Sequence, residues 1–208
     1  MDDTKVKALQ ERLFTELNGA MSILNMYIGD KLGMFTALAE TGPTTAQGFA
    51  EKTELNERYI REWLECMAAG QYLDYDGSTS TFSLSPEHAL VFTSPDHPAS
   101  GMGVFGWLPS FVNILPDLLD AFKTGAGVPY EAYGLDMVNG QGALTKSMFI
   151  NDYVSKWIAA MPDVQSKLEA GGRVAEVGCG IGWPAIAVAQ PYPKVQVDGI
   201  DPDQVSLV

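Results

Sequence analysis

The chain has 208 residues, 46% of them hydrophobic and 19% charged, a composition that excludes a disordered polymer and leaves room for one large or two small domains. A formal charge of -13 disfavours partners with phosphate backbones, and the two distant cysteines, Cys66 and Cys179, offer neither a disulfide framework nor a zinc cluster. The acidic start, Met1-Asp2-Asp3-Thr4, is unlike a signal peptide, and no uncharged apolar run approaches the roughly 20 residues of a membrane span; a soluble, reduced, cytoplasmic protein is expected.

Residues 5–40 carry Val6, Leu9, Leu13, Leu17, Met21, Leu24, Ile28 and Leu32 at threes and fours, a helical period that Gly19 and Gly33 can divide into two or three helices. After Gly42-Pro43, Thr44 with Gln47 three residues on predicts a capping box opening a short helix to about Lys52. Asn56 is the expected N-cap of a further helix with Ile60, Trp63, Leu64 and Met67 on its apolar face and Gly70 as its stop. Tyr72–Tyr75 and Thr81–Leu84 read as short strands joined through Asp76-Gly77, and Ser85-Pro86-Glu87 opens another helix. Helix, turn, helix and hairpin in this order predict a winged helix-turn-helix domain over residues 1–95.

The charges speak against DNA. The candidate recognition helix sets Arg58 and Arg61 against Glu57, Glu62 and Glu65, and no lysine or arginine occurs between Arg61 and Lys123. A DNA reader needs cations facing phosphates. The apolar stripe from Leu9 to Leu32 is longer than a small winged helix can cover, so a homodimer is expected. His88 and His97 are solitary and predict cap or surface roles.

Residues 96–160 read as a helical, aromatic linker region. A helix is expected from about Pro116 to Lys123, an irregular stretch at Gly125–Tyr130, and helical period again from about Leu144 until Pro162 breaks it. Aromatic residues from Phe105 to Tyr133 suit either a core or the wall of a substrate pocket.

The chemistry concentrates after Gly171-Gly172. An apolar strand, Val174–Val177, enters Gly178-Cys179-Gly180-Ile181-Gly182, a helix follows over Trp183–Gln190, and a second strand, Val195–Ile200, ends on Asp201. This is a β-α-β unit with an acid at the carboxyl end of its second strand, where open parallel sheets bind ligands. Glycines permit a tight turn and close approach of a ligand, while a carboxylate nineteen positions past Gly182 can accept hydrogen bonds from two ribose hydroxyls. A dinucleotide fingerprint, G-x-G-x-x-G, would need its third glycine where Trp183 stands, which opposes an NAD-dependent oxidoreductase.

Glu176-Val177-Gly178-Cys179-Gly180-Ile181-Gly182, with Asp201 after the next strand, resembles the first motif and ribose acid of class I methyltransferases. With a winged helix before it, and with Arg61–Leu64, Ser85–His88 and Gly127–Tyr130, the chain resembles small-molecule methyltransferases carrying an N-terminal winged-helix dimerisation domain. The expected fold class is therefore α/β overall: a mainly α winged helix-turn-helix domain followed, over residues 161–208, by the start of a Rossmann-like domain. The resemblance implies S-adenosylmethionine as cofactor, lined by Gly178, Cys179, Gly180 and Gly182, with Asp201 on the ribose and Glu176 positioning the loop or the methionine end. It implies a small-molecule acceptor, no metal and no nucleic acid. No catalytic base is identifiable. Such sheets usually have seven strands, so the chain is expected to be the N-terminal part of a longer enzyme. The alternative is a winged-helix regulator whose β-α-β unit senses a nucleoside-containing ligand.

Overall fold

A computed structural model describes residues 1–207; Val208, the last residue of the expected third segment, lies outside the described residues. By its contacts the chain divides into two units, Met1–Thr93 and Ser94–Val208. The first ends two residues before the expected boundary. The expected linker, residues 96–160, forms no separate unit. Its helices pack with the β-α-β segment.

In the first unit α1 spans Asp3–Lys31, α2 Met34–Thr41, α3 Ala46–Thr53 and α4 Glu57–Ala69. A hairpin of β1, Asp74–Asp76, and β2, Thr81–Ser83, then leads to α5, Pro86–Thr93. Of the two suspected breaks only Gly33 acts as one, at a φ of 66°; α1 runs straight through Gly19. The left-handed backbone at Gly33 turns the chain where a residue with a Cβ would be strained. In place of the expected capping box, α3 has a simple N-cap one residue later. Thr45 caps α3, accepting the Gly48 amide at 3.1 Å, while Thr44 pairs with Phe82 as an added strand bridge and Gln47 turns to Glu51. Two adjacent threonines can each cap, and the tertiary bridge to Phe82 decides between them.

Asn56 caps α4 as expected, and Ile60, Trp63, Leu64 and Met67 are buried against Phe35, Leu38 and Phe49 in the core. Trp63 donates its indole N–H to the Asn25 carbonyl of α1 at 2.9 Å and meets Phe35 edge-on. Gly70 ends α4 in a right-handed conformation; a Cβ there would fall 2.7 Å from the Tyr72 ring. The hairpin pairs Tyr75 with Phe82, and Ser85 accepts the His88 amide at the start of α5. His88 itself bonds the Tyr72 carbonyl at 3.0 Å, tying α5 to the approach to the wing.

The second unit opens with a 3-10 turn, Met102–Val104, followed by α6, Trp107–Asn113, and α7, Leu115–Thr124. A second 3-10 turn, Tyr130–Tyr133, precedes α8, Leu135–Met148, which continues into a wide-turned helix, Phe149–Ile158. Then come α9, Pro162–Ala170; β3, Arg173–Val177; α10, Trp183–Ala189; β4, Gln196–Ile200; and a last turn, Gln204–Ser206.

In α6, Pro109 falls in the first turn, where its missing N–H costs little. α8 starts at Leu135, well before Leu144, because Gly140 and Gly142 are packing glycines and not breakers. A Cβ on Gly140 would fall 2.6 Å from the Gly103 carbonyl oxygen, and one on Gly142 would collide with the Ile181 side chain. β3 and β4 pair in parallel, Val174 with Val197 and Glu176 with Gly199. Alternation along β3 sends Val174 to a small core with Ile158, Leu168 and Val188 and leaves Val177 80% exposed.

Candidate functional site

The site is the turn from β3 into α10. Gly178, Gly180 and Gly182 all hold positive φ, at 76°, 52° and 79°. At these three positions a β-branched side chain would be strained, which is the physical reason for this glycine spacing. Among the described residues beyond the chain neighbours, no atom lies within 4 Å of the place a Cβ would take on any of the three. Their demand is conformational, and the space above them is open to a ligand.

Hydrogen bonds fix the turn. The Gly178 and Cys179 amides both donate to the Ile200 carbonyl, at 2.7 and 3.2 Å, and the Gly182 amide donates to the Cys179 carbonyl at 2.8 Å. Asp201 supplies the clip. One carboxylate oxygen accepts the Gly180 amide at 2.9 Å and the other accepts the Asp203 amide at 2.9 Å. The Asp203 amide first, and the Gly180 amide second, hold its pKa below the ordinary 3.8. Asp201 is thus an anion bound into the loop, and each oxygen keeps a lone pair for a further donor.

Glu176, Gly178, Cys179, Gly180 and Gly182 line one cavity of about 250 Å³. Asp201 stands behind its wall, joined to it through Gly180. The opposite side comes from α8 and its extension, through Val138, Gln141, Thr145 and Phe149, and from Tyr130 and Ser206. Those residues were missing from the sequence-derived set. Their only signal was the Gly-Val-Pro-Tyr stretch, because helix residues reach the site by packing and leave no motif.

Glu176 is the anomaly of the cavity. Burial raises its carboxyl pKa above the ordinary 4.5, with a bond from the Ala185 amide working the other way, and its Oε2 has no hydrogen-bond partner among the described residues. Among the described residues no lysine, arginine or histidine lines the cavity. A buried carboxylate without a cation favours a ligand that brings a positive charge. Trp183 also lines the cavity, its indole N–H without a partner among the described residues and Lys146 4.5 Å from its ring centroid. Cys179 is buried, with its thiol pKa raised by burial and then by the charges of Glu176 and Asp201. It stays protonated and fills space beside Gly199. Among the described residues no cluster of histidine, cysteine, aspartate or glutamate could hold a metal.

Residues 19–94 match the family model of the Rv2258c-like winged helix-turn-helix domain. That segment is a winged helix-turn-helix domain. By structure the chain is similar to an N,N-8-amino-8-demethyl-D-riboflavin dimethyltransferase of Streptomyces davawensis, with TM-score 0.53, 20% identity and 95% of this chain aligned to 60% of the other. It is also similar to the mitomycin 7-O-methyltransferase MmcR, with TM-score 0.58, 18% identity and coverage of 98% and 61%. Human N-acetylserotonin methyltransferase, solved with SAM, gives TM-score 0.59, 14% identity and coverage of 94% and 66%. The chain spans about three fifths of the length of such structures. At these identities the likeness is one of fold, α/β overall with a winged helix at the N-terminal end. A search of curated proteins by sequence gave no match.

Proposed function

We propose that the full-length protein is an S-adenosylmethionine-dependent methyltransferase acting on a small molecule. The observation that carries this is the loop of three left-handed glycines clipped by Asp201 at the mouth of a parallel β-α-β unit. The cavity suits the cofactor. Its uncompensated Glu176 carboxylate matches a cationic methionine end, and Asp201 retains lone pairs for ribose hydroxyls. Gly178, Cys179, Gly180 and Gly182 would line the cofactor. When bound, it supplies an electrophilic methyl group on a sulfonium. The chain's own part is to hold and orient: the loop fixes the nucleoside, Glu176 the charged end, and α8 with Tyr130 closes the other side of the cavity.

The acceptor is expected to be a small molecule and not a nucleic acid. In α4, Arg58 pairs with Glu62 and Arg61 with Glu57, so its cations are neutralised within the helix. Duplex DNA should show no submicromolar binding near physiological salt in an anisotropy titration; such binding would revive the regulator reading. The protein is further expected to be a cytoplasmic homodimer joined through α1. Leu9, Leu13, Phe14 and Leu17 are all more than half exposed, and no single helix among the described residues is long and apolar enough to cross a membrane. Sedimentation showing a stable monomer at micromolar concentration would refute the dimer.

The deciding experiment is calorimetric titration of full-length protein with S-adenosylhomocysteine and, separately, NAD. Binding of the first and not the second is expected, with Asp201→Ala weaker by roughly ten- to a hundredfold, the range of a hydrogen bond to a charged group. Binding of NAD alone would overturn the proposal.

A further inference from the structure

The Gly-Val-Pro-Tyr stretch, residues 127–130, lies far from the glycine loop in sequence. Its last residue still forms a wall of the same cavity. Tyr130 opens the 3-10 turn Tyr130–Tyr133, its ring 6.1 Å from that of Tyr133, which in turn meets Phe111 edge-on at 5.9 Å. Tyr130 is 47% exposed, and its hydroxyl has no hydrogen-bond partner among the described residues. Burial first, then the charges of Asp203 and Asp201, keep its pKa above the ordinary 10.0, so it is a protonated donor throughout the neutral range.

The neighbouring acids are already occupied on one side. Asp201 accepts the Gly180 and Asp203 amides, and Asp203 accepts the Ser206 hydroxyl at 2.6 Å. Both Gly180 and Ser206 line the cavity with Tyr130. Just behind the cavity edge, Asp201 and Asp203 therefore keep spare carboxylate lone pairs near one uncommitted phenol. A vicinal diol needs both kinds of partner, since each hydroxyl donates once and accepts. Carboxylates can serve only its donors. A neutral phenol can serve an acceptor oxygen.

We propose that Tyr130 is a ligand-binding residue whose hydroxyl donates to a ribose oxygen of the nucleoside that Asp201 holds. This rests on the methyltransferase reading above. It assigns a role to a residue far from the glycine loop in sequence, and it makes the 125–134 segment part of the cofactor site.

Calorimetry on the full-length protein with three probes tests it: S-adenosylhomocysteine, 5′-methylthioadenosine, which keeps the ribose and lacks the amino-acid end, and the 2′,3′-dideoxy analogue of 5′-methylthioadenosine. Tyr130→Phe keeps the ring contacts and removes one hydroxyl. It should weaken the first two probes equally, by about three- to tenfold, and leave the dideoxy analogue unchanged. Unaltered affinity for all three, or an equal loss with the dideoxy analogue, overturns the assignment while leaving the cofactor reading intact. Failure of the unsubstituted protein to bind any of the three defeats the cofactor reading, and this inference with it.

Discussion

The winged-helix unit and the β-α-β segment of the second unit are stabilised in different ways. In the first, Phe35, Phe49, Leu38, Leu64 and Met67 lie at 2% exposure or less, brought together from three helices. In the second, no residue of β3 or β4 is fully buried, and Val177 and Ile200, at the strand ends beside the glycine loop, are 80% and 52% exposed. The loop holds its shape through backbone hydrogen bonds and one carboxylate. A large packed core fixes the first region; in the second a small core of Ile158, Leu168 and Val188 carries the strands while hydrogen bonds shape the glycine loop. The lesson is that a loop can be geometrically defined chiefly by hydrogen bonds.

The largest effect expected from this contrast is on stability. Leu64→Ala should destabilise the winged-helix unit by about 2–5 kcal/mol, because a filled core site becomes a cavity. Val177→Ala should cost less than about 0.5 kcal/mol, as a surface change does. Chemical denaturation of both variants measures the pair, and equal losses would break the comparison. Next comes Gly180→Val. A β-branched residue at a φ of 52° is strained by about 1–3 kcal/mol, and its side chain enters the ligand's space. Loss of S-adenosylhomocysteine binding is expected in calorimetry while the heat-denaturation midpoint of the winged-helix unit stays put.

Hydrogen exchange should separate the two regions more gently. Amides of 173–207 should exchange faster than those of α4, since few apolar contacts protect them. The smallest effect is electrostatic. The folded-state pKa of Glu176 is raised, so its carboxyl opposes folding once ionised; that cost is absent below its ordinary value of 4.5 and grows as pH rises through the folded value. Glu176→Gln should therefore raise the melting temperature slightly at pH 7, lose that gain in acid, and weaken a cationic ligand. Asp201 runs the other way. Its depressed pKa contributes stability above 3.8 that is lost as pH falls through the folded value, so Asp201→Asn should flatten the acid limb of the melting profile.

Much of this was legible in the sequence. Caps, turns and the glycine loop depend on residues within a few positions of one another, and Asn56, Ser85, Gly33 and the 178–182 spacing each stated their role in advance. What the tertiary structure alone decided were the long-range matters. It chose Thr45 over Thr44 as the cap because Phe82 claims the latter, and kept Gly140 and Gly142 inside a helix because Trp107 and Ile181 press on them. It also brought Tyr130 to a cavity whose other wall lies some fifty residues later. Local hydrogen-bond chemistry is written in adjacent residues. Which side chain meets which across a cavity depends on packing, and packing is a property of the folded whole.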